Sequence, residues 1–349
     1  MSAPRILVVT SDVPFVEGGH LTIARNTVRA LRDSGYEADL VTTPQNRFGR
    51  QFGAYLATRL TDVGLDGLGR PIHQVISFRF PSYAVRHEAH VCWLNHRQRE
   101  YYDLWPMLAA ELGPAGRAKE SVRRFFIRRL DTHLLKHRVT RLFAQSQTIQ
   151  QRLSRWGGIS SEVLYPPAPV RAYRTDSYGD FIFAVSRLQK LKRLDLLVEA
   201  FRSVTNKRLR AVIVGDGPER ESLARKIKDY GLSRRVLLLG SGDETVVLSH
   251  YARCLAVYFA PLSEDYGFVT AEAFSARKAV ITTADSGGPA ELVQDGRTGF
   301  VVQPSAAELA RAFDFLAEDK REAEKLGNRG HEFISRLTWP GAVKKLVIV

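Results

Sequence analysis

The sequence predicts an α/β protein of two doubly wound domains, each a parallel sheet covered by helices. Three observations carry this. The 349 residues are long for one core and comfortable for two. Short apolar runs alternate with segments of helical spacing in both halves, the pattern of βαβ units. Between the halves, Leu164-Tyr165-Pro166-Pro167-Ala168-Pro169 clusters prolines that neither a helix interior nor a central strand accepts, so it reads as a stiff connector. The expected boundaries are 1–165 for the first domain, 165–169 for the linker and 170–337 for the second, with 338–349 packing back on the first. Two such domains facing each other leave a cleft, and ligands of doubly wound sheets sit at the carboxyl ends of the strands.

The first domain opens with a strand at Arg5 to Thr10, a loop Glu17-Gly18-Gly19-His20, a helix to Asp33 and a strand at Ala38 to Thr43. Leu21, Ala24, Val28 and Leu31 recur at helical spacing, and Ser34-Gly35 ends the helix. Residues 45–70 are rich in glycine and arginine and poorly periodic. They read as a mobile excursion with one short helix near Ala54 to Leu60, of the kind that carries substrate selectivity. Val75 to Phe80, Ala89 to Leu94 and Arg141 to Ala144 are further strands. From Arg117 to Arg141 a basic amphipathic helix is expected: Arg123, Arg124, Arg128, Arg129, Lys136, Arg138 and Arg141 alternate with Val122, Phe126, Leu130, Leu134 and Val139. Such a helix puts one face in the core and one in water, or else docks on an anionic membrane surface.

In the second domain, Phe181 to Val185, Ala211 to Val214, Val236 to Leu239, Val257 to Ala260 and Ala279 to Thr282 are short apolar strands. Helical patterns at Leu194 to Ser203, Glu219 to Tyr230, Thr245 to Arg253, Val269 to Ala276 and Pro289 to Leu292 alternate with them.

Composition narrows the function. Hydrophobic residues at 44% and charged residues at 25% belong to a folded globular chain, without a fixed-period repeat. No apolar run reaches the roughly 20 residues of a spanning helix, and the N-terminus enters a strand directly, so the chain is read as neither secreted nor membrane-spanning. Cys92 and Cys254 fall in different domains and no Asn-x-Ser/Thr occurs, which points to a cytoplasmic address, with a peripheral place on the inner membrane face if the basic helix docks. The net charge of +14 attracts phosphates, anionic lipid and nucleic acid alike. Nucleic acid is not expected as a partner, because no aromatic-studded RNA motif, zinc spacing or helix-turn-helix pattern accompanies the charge.

The candidate chemistry gathers at strand ends. Glu264 and Glu272 bracket Ser-Glu-Asp-Tyr-Gly-Phe-Val-Thr-Ala-Glu with seven residues between them, the first on a turn and the second early in a helix; together they can accept the hydroxyls of a polyhydroxylated ligand. Separately, they are a solvated loop residue and a helix-start acid. Arg187 and Lys192 lie on the loop after the second domain's first strand, where a diphosphate leaving group needs fixed cations. Gly18 and Gly19 let backbone amides approach a phosphate at a helix N-terminus, or simply make a tight loop. His96 closes a strand and could bond a sugar hydroxyl; His73, His87, His90 and His250 read as locally satisfied. Gly215-Asp216-Gly217-Pro218 reads as a structural strand-to-helix turn. No Asp-x-Asp occurs, so Arg187 and Lys192 are expected to neutralise the diphosphate without a metal or other cofactor, and no G-x-x-x-x-G-K-[ST] supports an ATPase.

Together these motifs resemble the family 4 retaining glycosyltransferases of the GT-B fold, with two Rossmann-like domains. The resemblance is dense from about Leu164 to Pro304, including Ser286-Gly-Gly-Pro-Ala-Glu291 and Asp295-Gly-Arg-Thr-Gly-Phe300, and thin from Pro44 to Gln74. It implies a nucleoside diphosphate sugar donor and a saccharide or lipid-linked acceptor. Arg187, Lys192, Gly19 and the amides near Gly267, Phe268 and Val269 would hold the diphosphate, Glu264 the donor sugar, Glu272 the ribose and His96 the sugar near its reacting carbon. Ser186 and Arg193 stand where the family commonly has glycine, which puts the local loop shape in question. Same-face attack is expected, with a covalent intermediate on Glu264 as the mechanistic alternative. Secondary-metabolite glycosylation, another GT-B activity such as epimerisation or phosphorolysis, and a basic lipid- or nucleic-acid-binding protein are the competing functions.

Overall fold

The computed structural model describes residues 3–13, 18–45 and 48–349, and only the backbone of His20; Glu17 of the glycine loop and residues 46–47 of the excursion lie outside the described residues. The chain divides into two compact units, Met1–Pro166 with Thr338–Val349, and Pro167–Leu337.

Unit 1 runs β1 (Arg5–Asp12), α1 (Gly19–Asp33), β2 (Glu37–Pro44), α2 (Gln51–Leu60), β3 (Gln74–Ser77), β4 (His90–Leu94), α3 (Trp105–Glu111), α4 (Pro114–His137), β5 (Arg141–Ala144), α5 (Gln147–Arg155) and β6 (Glu162–Val163). The strands form one parallel sheet in the order β2-β1-β3-β4-β5-β6. Strands β3 and β4 are buried along their whole length, as a sheet covered on both faces requires. The segment after α2 is more ordered than its composition suggested. The Asp66 carboxylate accepts from the backbone N–H of Leu68 and Arg70 at 2.9 Å each and from Arg70 Nε at 2.7 Å, closing a turn that polar spacing alone does not reveal.

The basic helix differs from expectation in extent and face. It ends at His137, and Arg141 begins β5. Of the expected apolar face, Leu134 is buried, while Val122 and Phe126 are more than half exposed. The buried side instead carries Glu120, Ile127, Asp131, Leu134 and Leu135. Two carboxylates can face inward because hydroxyls meet them: Tyr101 donates to Glu120 at 2.8 Å, and Tyr55, Tyr83 and Tyr102 all donate to Asp131. Asp131 thereby ties α4 to α2 and to the loops at 82–84 and 99–102.

Unit 2 runs β7 (Phe181–Val185), α6 (Leu194–Ser203), β8 (Arg210–Val214), α7 (Arg220–Asp229), β9 (Val236–Gly240), α8 (Glu244–Arg253), β10 (Ala256–Tyr258), α9 (Phe268–Ser275), β11 (Ala279–Thr283), α10 (Gly288–Leu292), β12 (Gly299–Val302), α11 (Ala306–Glu318) and α12 (Lys320–Ile334). Its sheet is parallel in the order β12-β11-β10-β7-β8-β9, so the winding reverses between β7 and β10. The core joins Leu197, Phe201, Ile213, Tyr258, Ile281 and Phe313 under α6 and α11. The closing helix α13 (Trp339–Leu346) belongs to unit 1: Gln74 Nε2 donates to Leu346 O at 2.7 Å, Ile348 N donates to Gln74 Oε1 at 2.9 Å, and Trp339 meets Trp93 edge to face. No helix among the described residues is long and apolar enough to cross a membrane.

Candidate functional site

The reversal between β7 and β10 places two loops side by side at the carboxyl ends of those strands, where a doubly wound sheet opens a crevice. The first loop, 186–193, is braced by the turn after β8. Ser186 N donates to Val214 O, Leu188 N to Asp216 O at 2.8 Å and Glu219 N to Leu188 O at 3.0 Å. Gly215 has φ 146, and a Cβ there would lie 1.9 Å from Ser186 O, so only glycine lets the two loops cross this closely. The Gly215–Pro218 turn is thus the support of the loop that carries Arg187. Arg187 itself is exposed, with no ion-pair partner among the described residues.

The turn Lys190–Lys192 ends on Arg193, whose φ of 48 lies in the left-handed region that glycine prefers. The side chain compensates for the strain. Its guanidinium donates to Ala260 O, Pro261 O and Thr283 Oγ1, and to both oxygens of Asp285 at 2.8 Å each. Burial would raise the Asp285 carboxyl, but the bonds from Arg193 and Thr283 outweigh it and hold it below the usual carboxylate range. Arg193 therefore fastens the β7 loop to the loops after β10 and β11.

Beside it, Lys192 Nζ lies 2.5 Å from Glu264 Oε2, with both side chains mostly shielded, and 5.5 Å from the Phe259 ring centre. Glu264 is positioned by its backbone: Glu264 N donates to Ser286 O at 2.8 Å and Gly288 N to Glu264 O at 3.0 Å. Gly287 has φ 71, and a Cβ on it would stand 2.5 Å from Glu264 O. The Gly-Gly-Pro run and the Glu-Asp-Tyr-Gly run, distant in sequence, are two halves of one packed junction. Next to them Gly267, at φ 87, is the N-cap of α9 and supplies no side-chain acceptor of its own to the first-turn amides.

Glu272 lies elsewhere on α9. It is buried, with Arg171 Nη1 at 3.0 Å from one oxygen and Tyr251 Oη at 2.9 Å from the other. Burial pushes its carboxyl above the ordinary value, against the pull of Arg171 and Tyr251. The structure thus brings Arg187, Lys192, Glu264 and Gly267–Val269 to the ends of β7 and β10, and sets Glu272 in its own buried cluster. Sequence reading missed Arg171, Tyr251 and Asp285. The Arg171–Glu272 contact spans 101 residues, and no local spacing announces it. Arg193 carried a signal, since it occupies a position where glycine is frequent in the resembling family.

In unit 1, Gly18 caps α1 and Gly19 is its first residue; Leu21 N donates to Gly18 O at 3.1 Å. His96 follows β4 half-buried, with Nδ1 donating to Arg97 O at 2.8 Å. The other histidines singled out meet partners at one ring nitrogen or more: His73 accepts from Arg5 N, His87 contacts Ile72 O, His250 contacts Val246 O, and His90 contacts Ser77 Oγ through Nε2 while its buried Nδ1 makes no hydrogen bond.

Residues 171–333, nearly all of unit 2, match the family described as Glycosyl transferases group 1. An alpha-1,3/1,6-mannosyltransferase of Dictyostelium discoideum is 31% identical over 115 residues, covering 33% of this chain and 27% of the relative. An N-acetylgalactosamine-N,N'-diacetylbacillosaminyl-diphospho-undecaprenol 4-alpha-N-acetylgalactosaminyltransferase of Campylobacter jejuni is 32% identical over 123 residues, covering 35% and 33%. The chain spans half or less of the length of the curated relatives it matches. Among solved structures, a sucrose-phosphate synthase from Thermosynechococcus elongatus superposes with a TM-score of 0.74 at 17% identity, over 97% of this chain and 96% of that one. The fold is that of the GT-B glycosyltransferases.

Proposed function

We propose, from a group 1 glycosyl transferase segment set in a GT-B fold, that this chain is a retaining glycosyltransferase. It moves a hexose or N-acetylhexosamine from a nucleoside diphosphate sugar to an acceptor hydroxyl, without a metal ion, in the synthesis of a cell-envelope polysaccharide or lipid-linked glycan on the cytoplasmic side of a membrane. The names of the two relatives, one for mannose transfer and one for N-acetylgalactosamine transfer onto a diphospho-undecaprenol-linked saccharide, support that donor and acceptor class.

The observation that carries the reading is the Lys192–Glu264 pair, 2.5 Å apart at the ends of β7 and β10, with Arg187 exposed on the same loop and the uncapped start of α9 beside it. As the bond between sugar and phosphate breaks, negative charge grows on the diphosphate. The guanidinium of Arg187, the ammonium of Lys192 and helix N-terminal amides nearby would stabilise it. Glu264 offers an acceptor for donor-sugar hydroxyls. Its partner Lys192 holds it at 2.5 Å, which suits binding better than covalent attack, so same-face substitution is the favoured course. The ribose role of Glu272 requires hydroxyls to replace Arg171 or Tyr251 at its oxygens. In unit 1, His96 is proposed as a catalytic group at the sugar near its reacting carbon, and the Gly18–Gly19 amides as donor-binding groups.

A thermal-shift screen of UDP, GDP and ADP sugars identifies the donor, and the anomeric configuration of the product, read by NMR, tests retention. Arg187→Ala and Lys192→Ala are each expected to lower turnover on the order of 100-fold, with chelators leaving it unchanged. Wild-type turnover in both variants, or epimer or sugar phosphate in place of transfer product, overturns the proposal.

A further inference from the structure

Along α4 the molecule carries a groove that the reading of unit 2 does not use. It is open, about 820 Å³, and lined by Arg124, Arg128, Arg129 and Arg155, by the imidazoles of His133 and His137, and by the Trp156 ring. No carboxylate lines it. The carboxylates of α4 that fall closest in sequence are spent inside: Glu120 pairs with Arg123 and accepts from Tyr101, and Asp131 is enclosed by three tyrosines.

The four guanidiniums lie against aromatic rings rather than countercharge. Arg129 lies 4.6 Å over Phe125, Arg155 4.9 Å over Trp156, Arg124 4.8 Å over Trp105 and Arg128 5.5 Å over Tyr102. Arg124 also donates to Tyr101 O at 2.9 Å. Stacking of this kind fixes the plane of each guanidinium and leaves N–H edges for an anion. None of the four has an ion-pair partner among the described residues. Burial, and after it the charge of Arg128, lowers the Arg124 guanidinium from its ordinary value. His137 also lines a second groove, of about 710 Å³, in which Arg59, Arg86 and Arg138 are joined by the carboxylate Glu88.

We infer that the α4 groove binds a phosphate or diphosphate group, with the guanidiniums of Arg124, Arg128, Arg129 and Arg155 as its donors. Several planar cations around one concavity match phosphoryl oxygens, which accept in bidentate fashion. The volume admits a diphosphate together with part of the molecule that bears it. Val122, Phe125 and Phe126 stand 59%, 52% and 55% exposed on the same helix, which favours a bearer with an apolar portion. The inference is independent of the chemistry proposed for unit 2.

The test uses the full chain carrying Arg187→Ala, so that the loop after β7 contributes little. Two probes separate the sources of the group: inorganic pyrophosphate by calorimetry, and vesicles of phosphatidylcholine with and without phosphatidic acid by co-sedimentation. Adding Arg129→Gln and Arg155→Gln, both on exposed residues, is expected to weaken binding about tenfold while the melting temperature holds. A matched loss of two charges in unit 2, Arg208→Gln with Arg225→Gln, is expected to leave binding within about twofold, since screened long-range attraction changes equally in both. Pyrophosphate binding alone assigns a soluble phosphate, and phosphatidic acid-dependent binding alone assigns a lipid headgroup; either supports the site. No binding of either probe, equal binding by the groove variant, or an equal loss in the unit 2 control overturns it.

Discussion

On the turn after β7, Lys192 meets Glu264 at 2.5 Å and Arg193 gives its fork to Asp285 and three further oxygens. Along the α4 groove, Arg124, Arg128 and Arg129 of α4 and Arg155 of α5 lean on aromatic rings, and no carboxylate lines it. Both regions are basic in sequence, yet the charge does different work. At the turn after β7, Lys192 and Arg193 are matched, so removing one loosens a junction of three loops. In the α4 groove the four arginines are unmatched, so removing one is expected to lose little within the fold. A paired charge resists truncation because its partner is left shielded and alone, whereas an exposed unpaired one does not.

The comparison can be broken in four ways. Asp131→Ala is the most severe, because it strands the hydroxyls of Tyr55, Tyr83 and Tyr102 inside unit 1; a loss of about 3 kcal/mol is expected in chemical denaturation. Asp131→Asn, which still offers an acceptor oxygen, should recover much of it. Next comes Arg193→Ala, expected to cost about 2 kcal/mol through the loss of the bonds to Asp285, Thr283 and the 260–261 carbonyls. A smaller effect follows from Glu272. Its folded carboxyl is raised, so the stability it contributes is fully present below the unfolded carboxylate value and is lost as pH rises through the folded one. Glu272→Gln should therefore flatten the fall of melting temperature with pH from about pH 4 upward. Smallest is Arg129→Gln with Arg155→Gln, expected to move stability by no more than about 0.5 kcal/mol. A cost near that of Arg193→Ala would show that the groove charges are structural after all.

How much of this was legible in the sequence depends on the range of the interaction. The strands and helices of unit 2 that flank Arg187, Lys192 and Glu264 follow from short apolar runs and helical spacing, so the loops at the ends of β7 and β10 could be located. The two-residue strand β6 is too short for any periodicity, and α3, α5, α11 and α12 were not read. The face of α4 was misjudged because a hydrophobic pattern assumes that carboxylates point outward; three tyrosines from distant segments reverse that for Asp131. Likewise, the two oxygens of Glu272 are claimed by Arg171 and Tyr251, partners that emerge only once β7, β10 and their helices are assembled.

The seam at Gln74 has a consequence for how the chain is made. Its buried amide is completed by Leu346 and Ile348, more than 270 positions later. During synthesis Gln74 can meet these two partners only after the other unit has been translated. The earlier half is finished last, and a nascent chain halted near residue 340 would leave that amide without its proper partners.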